Sequence, residues 1–223
     1  MITIDNLCFV LETNRTAYAF DVSGGVLRHL YYGAKLRRLE DYTLAAPRPL
    51  FAPGNAAVLE GSVSLEDMAQ EAAGVGWGNA GESLVDVVLP DGGRAAAFRF
   101  AYYERGVKAA PNGLPAALSG DETLKVVLKE KNCELYLELY YTVYERCDAI
   151  VRWSRLVNDT GEAVTVRRLL SAQLDLPARI IPSPPSAAHG PGRWRGRIKT
   201  SPASWCGRAR WASAPTAAIP LPW

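Results

Sequence analysis

The chain has 223 residues, 48% of them hydrophobic and 22% charged, which is enough apolar material for one sizeable core and too little for two large domains. It has no apolar run of 18 or more residues, and its start, Met1-Ile2-Thr3-Ile4-Asp5, lacks the layout of a secretory leader, so a cytoplasmic protein with no membrane partner is expected. The net charge of +2 hides an acidic body: up to Pro177 there are 18 basic against 23 acidic residues, net −5, which argues against nucleic acid as a partner, while the remaining 46 residues carry seven basic and no acidic ones.

Ile2 to Leu11, a polar turn at Glu12-Thr13-Asn14-Arg15, Thr16 to Val22, a Ser23-Gly24-Gly25 turn and Val26 to Tyr32 read as three short strands in a meander. A long loop follows, roughly Lys35 to Gly81. Inside it, Ser64 with Asp67 three residues on has a capping-box pattern that predicts a short helix entering Met68-Ala69-Gln70. Leu84 to Leu89 and Ala95 to Tyr103 flank Pro90-Asp91-Gly92-Gly93, a turn with hairpin chemistry.

Leu124, Val126 and Leu128 alternate with polar or exposed-phase residues, and Glu130-Lys131-Asn132 turns the chain into the longest alternating segment, Cys133 to Tyr144. Its apolar phase is Cys133, Leu135, Leu137, Leu139, Tyr141 and Val143, as expected of a long, half-buried, central strand. Ile150 to Val157, the turn Asn158-Asp159-Thr160-Gly161 and Ala163 to Leu170 predict a second hairpin. Many strands with closely spaced turns define an all-β sandwich.

The residues that carry chemistry are few. Cys8, Cys133, Cys147 and Cys206 form no Cys-x-x-Cys pair and only His29 and His189 are available beside them, so no metal and no cofactor are expected. His29, on a strand without a nucleophile nearby in sequence, reads as structural. Arg152, Arg155, Arg167 and Arg168 with Glu134 and Glu138 suit either a sugar groove or cross-strand ion pairs on a solvated sheet face, and the ion pairs are expected.

Six segments, in order, resemble the amino-terminal domain of family 36 glycoside hydrolases, the α-galactosidase family. They are Val26-Leu27-Arg28-His29-Leu30-Tyr31-Tyr32-Gly33, Gly76-Trp77-Gly78-Asn79, Gly113-Leu114-Pro115-Ala116, Thr123 to Leu128, Tyr141-Thr142-Val143-Tyr144-Glu145, and the run from Ala149-Ile150-Val151-Arg152 through Asn158-Asp159-Thr160-Gly161-Glu162 to Leu170-Ser171-Ala172-Gln173-Leu174-Asp175-Leu176-Pro177. The resemblance implies an antiparallel β-supersandwich of the galactose-mutarotase-like type. It also implies galactoside sugars as ligands and a homo-oligomer, both for the full-length form. The candidate substrate-binding residues are Trp77 and Asn79: in their turn an exposed indole would stack on a sugar face, and a buried anchor fits the same position.

The family continues past this point with a Gly-x-Trp-x-Arg-Glu segment, a Ser-Ser-His-x-x-Asn-Pro segment and a catalytic barrel carrying two carboxylates for a retaining mechanism, so the resemblance places no catalytic residue in this chain. Where oligomeric members send an Asp and two Arg residues toward a neighbour's active site, the nearest positions here read Arg48, Gly61 and Ser83. Residues 1–177 are read as the domain. Residues 178–223, with eight of the 15 prolines and Trp194, Trp205, Trp211 and Trp223, show no periodicity and read as a disordered tail translated out of frame. Two functions follow: a non-catalytic structural and oligomerising domain of a retaining α-galactosidase, or a free-standing carbohydrate-binding β-sandwich.

Overall fold

The computed structural model describes residues 1–46, 58–59, 63–65, 68–76, 82–111 and 120–174. Four strands open the chain: β1 (Ile2–Asp5), β2 (Cys8–Glu12), β3 (Thr16–Ser23) and β4 (Val26–Ala34), joined in that order as an antiparallel sheet. The expected first strand is therefore two. Asn6 and Leu7 both adopt positive φ, 46° and 60°, which is the geometry of a two-residue hairpin turn, and the chain folds back there instead of running on. Gly24 and Gly25, at φ 56° and 78°, close the β3–β4 hairpin in the same way, as their sequence predicts.

The second large sheet has the order β11-β10-β9-β8, built from β8 (Phe98–Arg105), β9 (Glu122–Glu130), β10 (Leu135–Tyr144) and β11 (Ala149–Asn158). The longest alternating segment is central, paired to β9 on one side and β11 on the other. Leu135, Leu137 and Leu139 are fully buried on its inner face. Its outer face is not solvated as expected: Glu138, Tyr140 and Thr142 are buried too. Trp153 covers Tyr140, the rings stacked 3.8 Å apart and nearly parallel, and Arg155 closes over Glu138.

Two turns form where expected but lead to different partners. Asp91 and Gly92 turn the chain with Leu89 N–H donating to Gly93 O at 2.8 Å, yet β7 (Val85–Val88) leaves β8 and pairs with β12 (Thr165–Leu169) in a separate two-stranded sheet. Likewise Asn158 Oδ1 accepts from Thr160 N–H and Gly161 sits at φ 75°, but β12 departs from β11 toward β7. Neither predicted hairpin is a hairpin. The remaining pair, β5 (Val58–Leu59) and β6 (Val63–Ser64), is short.

The helix expected after Ser64 is also absent among the described residues. Ser64 ends β6, and 69–71 runs along β4 instead, His29 N–H donating to Ala69 O and Glu71 N–H to Leu27 O. Among the described residues the helix is α1 (Leu39–Leu44), capped by the Asp41 carboxylate, which accepts from the Arg38 N–H.

Alternation on β3 divides its side chains between two cores. Tyr18 and Phe20 join Phe9, Leu11, Leu137 and Tyr141 between the two large sheets, where Phe20 stacks on Tyr141 at 4.9 Å. Ala17 and Ala19 face the other way, toward Val10, Leu30 and Tyr42 of α1. The molecule is thus an antiparallel β-sandwich with a helical cover on the first sheet. The Gly113-Leu114-Pro115-Ala116 element, Arg48, Gly61, Trp77, Asn79 and the tail from residue 178 lie outside the described residues.

Replacing Leu137 by Asp places an unpaired carboxylate at the centre of the inner core. The expected loss is about 3–5 kcal/mol of unfolding free energy in a urea titration. A midpoint close to that of the parent protein would contradict the register of β10.

Candidate functional site

The most concentrated chemistry lies between the two sheets, around Glu71. Its side chain is fully buried. Oε1 accepts from the Tyr18 hydroxyl at 2.6 Å and lies 2.8 Å from His29 Nδ1. A carboxylate only accepts, so this contact puts the imidazole proton on Nδ1. Oε2 accepts from the Tyr141 hydroxyl at 3.0 Å and from Arg152 Nη1 at 2.7 Å, while Arg152 Nη2 donates to the Glu71 carbonyl at 2.5 Å. Arg152 also reaches the Gln173 carbonyl at 3.1 Å and lies over the Tyr141 ring, 5.0 Å from its centroid.

Strand alternation explains how these side chains meet. Tyr18 and His29 come from β3 and β4, whose inner phases face the second sheet. Tyr141 and Arg152 are register partners on β10 and β11. On β11 the core phase is Ile150, Arg152, Ser154 and Leu156, opposite Val143, Tyr141, Leu139 and Leu137. A charged residue in that phase must meet a buried partner. Arg152 does not lie on the solvated face expected from the sequence: its side chain keeps only 8% of its surface exposed. Glu71 was missed, since it stands in the irregular stretch Gln70-Glu71-Ala72-Ala73-Gly74 with no periodicity to mark it. Close packing holds that stretch: a Cβ on Gly74 would come within 2.5 Å of the Ala96 carbonyl.

The electrostatics follow from burial and pairing. Burial alone would raise the Glu71 pKa, but Arg152, His29 and Tyr18 together hold it below the ordinary carboxylate value. Burial pushes both Tyr18 and Tyr141 well above the usual phenol range, and the Glu71 charge adds to it. Burial disfavours the Arg152 charge, yet Tyr141, Glu71 and Tyr18 outweigh it, so the guanidinium stays ionised. His29 is thus a structural histidine, as its sequence context suggested.

The other charged candidates make separate ion pairs. Arg155 pairs with Glu138 across β10 and β11 at 2.5 Å, the expected cross-strand bridge. Glu134 pairs with Lys129 instead of an arginine, Arg168 with Glu82, and Arg167 approaches Asp86 at 3.9 Å. Among the described residues no group of three or more His, Cys, Asp or Glu is placed to hold a metal ion, and no helix is long and apolar enough to cross a membrane.

Fold and buried centre together define an antiparallel β-sandwich domain with an ion pair in its core. The chain belongs to a family in which such a domain leads a larger enzyme: residues 25–194 match the glycosyl hydrolase family 36 N-terminal domain. It is 32% identical over 173 residues to the bifunctional alpha-galactosidase/sucrose kinase AgaSK of Mediterraneibacter gnavus, covering 75% of this chain and 18% of that protein. To alpha-galactosidase AgaA of Geobacillus stearothermophilus it is 29% identical over 212 residues, 91% of this chain and 26% of that protein. A crystal structure of AgaA in complex with raffinose superposes with a TM-score of 0.69 at 28% identity over 77% of this chain and 25% of that one. The chain therefore spans about a quarter or less of the length of these relatives.

Because the Glu71 pKa is lower folded than unfolded, protonation favours the unfolded chain. Its stabilising effect is complete above the ordinary carboxylate value of 4.5 and is lost as pH falls through the lower folded value. The stability advantage of the parent protein over Glu71→Gln should accordingly be largest near neutral pH and shrink on acidification below that value. Chemical unfolding of both proteins across that range checks it, and an advantage that stays constant or grows in acid would contradict the assignment.

Proposed function

We propose that this chain is the non-catalytic, structural and oligomerising amino-terminal domain of a cytoplasmic α-galactosidase that, in its full-length form, hydrolyses α-galactosides by a retaining mechanism. The observation that carries the reading is the family match over residues 25–194 in a chain spanning 18% to 26% of two α-galactosidase relatives. Galactosides are the proposed substrates because the related AgaA has been captured with raffinose.

The buried chemistry supports a structural role. A retaining glycosidase needs two carboxyl groups about 5–5.5 Å apart, one an ionised nucleophile and the other a proton donor of raised pKa. Glu71 suits neither, since both its oxygens are occupied by donors and its pKa is lowered. Acid–base chemistry is accordingly assigned to the part of the relatives beyond this chain. Residues 1–177 are proposed as the domain and 178–223 as a tail outside it. Trp77 and Asn79 are proposed as sugar contacts of the assembled enzyme.

Purified 223-residue protein should release no galactose from an aryl α-galactoside above a blank preparation. In a full-length enzyme carrying this domain, deleting residues 1–177 should turn an oligomer into a smaller species in sedimentation velocity. Measurable hydrolysis by the short chain would refute the non-catalytic assignment, and unchanged assembly would refute the oligomerising one.

A further inference from the structure

A cavity of 250 Å³ opens between the two large sheets beside the Glu71 network. Tyr18 and Tyr32 line it from the first sheet, Tyr141 and Arg152 from the second, and Asp148 and Gln173 from the connecting segments. We infer that this cavity is a binding site for one neutral, polyhydroxylated ring of monosaccharide size. The inference concerns a site on this chain and goes beyond its role as a domain of a larger hydrolase.

Size sets the first limit. A water occupies about 30 Å³ of liquid, so the cavity has room for a single sugar ring and not for a chain of them. Ring chemistry sets the second. Tyr32 stands opposite Tyr18 in the β3–β4 register, their centroids 6.0 Å apart and the planes inclined by 59°. Tyr18 is buried and hydrogen-bonded, whereas Tyr32 keeps 51% of its surface exposed, an available aromatic face held at a fixed angle. Such a face suits the C–H side of a pyranose, with polar groups nearby to orient its hydroxyls.

Charge selects a neutral ligand. The Arg152 guanidinium is already neutralised by Glu71 at 2.7 Å, and Asp148 brings a carboxylate whose Oδ1 accepts from the Thr13 hydroxyl and the Arg15 N–H. No net positive charge is left to hold an anion. Tyr32, Asp148 and Gln173 bring polar side chains to the same cavity, and an oxygen-rich neutral ring has hydroxyls to meet them.

The test is a nuclear magnetic resonance titration of the full chain with D-galactose, D-glucose and D-galacturonate. A neutral hexose should bind saturably with a Kd of about a millimolar, shifting amides of residues 16–18, 32, 150–152 and 172–174, and galacturonate should bind more weakly. Tyr32→Ala should weaken binding about tenfold without moving the melting curve. If Tyr32→Ala alters the melting curve, the map of shifted amides in the parent protein decides. No saturable binding of either hexose, shifts confined to other residues, or a preference for galacturonate would each overturn the inference. None of these outcomes touches the family assignment, which stands on the match over residues 25–194, or the proposed role, which activity and assembly test.

Discussion

The ion pair between Glu71 and Arg152 is the constraint on which the rest of the domain depends. One carboxylate, in a stretch with no regular structure of its own, is bound by side chains from β3, β4, β10 and β11. The backbone of the same stretch is pinned to β4 through Ala69 and Glu71 and to the start of β7 through Ala73, whose carbonyl accepts from Leu84 N–H. The two sheets therefore share one electrostatic centre as well as an apolar core. Burying two charges is expensive, and the pair is tolerated only because both carboxylate oxygens and two guanidinium nitrogens are met by hydrogen bonds.

That saturation separates the structural chemistry of the domain from any binding chemistry. A carboxylate with four donors and a depressed pKa is a weak base and a poor proton source, which is why the polar centre of this sandwich is read as scaffolding. It does impose order on its surroundings. Tyr18, Tyr141 and Arg152 are held rigidly by Glu71 and form part of the wall of the adjoining cavity, so a ligand there would meet a preformed surface. The same residues act as core on one side and as lining on the other.

Much of this was legible in the sequence, and the failures have physical causes. Period-two alternation located nearly every strand and made β10 central, because a half-buried strand must sort its side chains by face. Strand partners are another matter. The turns after Leu89 and Asn158 carry hairpin residues, but turn chemistry sets the direction of the chain and not which sheet receives it, so β7 and β12 paired with each other. The break at Asn6-Leu7 was hidden because leucine rarely adopts positive φ. Arg152 carried a signal that went unused: it lies in the core phase of β11, and its partner is 81 residues away in sequence. Nothing local marks Glu71, since its environment is made wholly of distant residues.

A double-mutant cycle on Glu71→Leu and Arg152→Met, followed by equilibrium unfolding, tests the central claim most directly. Each single change strands a buried charge or its donors, while the double change removes both charges at once. The account predicts that each single variant loses about 3–5 kcal/mol and that the double variant is more stable than the sum of the singles by about 2–3 kcal/mol. Losses that add to within about 0.5 kcal/mol would show that the two residues act independently, and the buried pair would no longer explain how the sheets are joined.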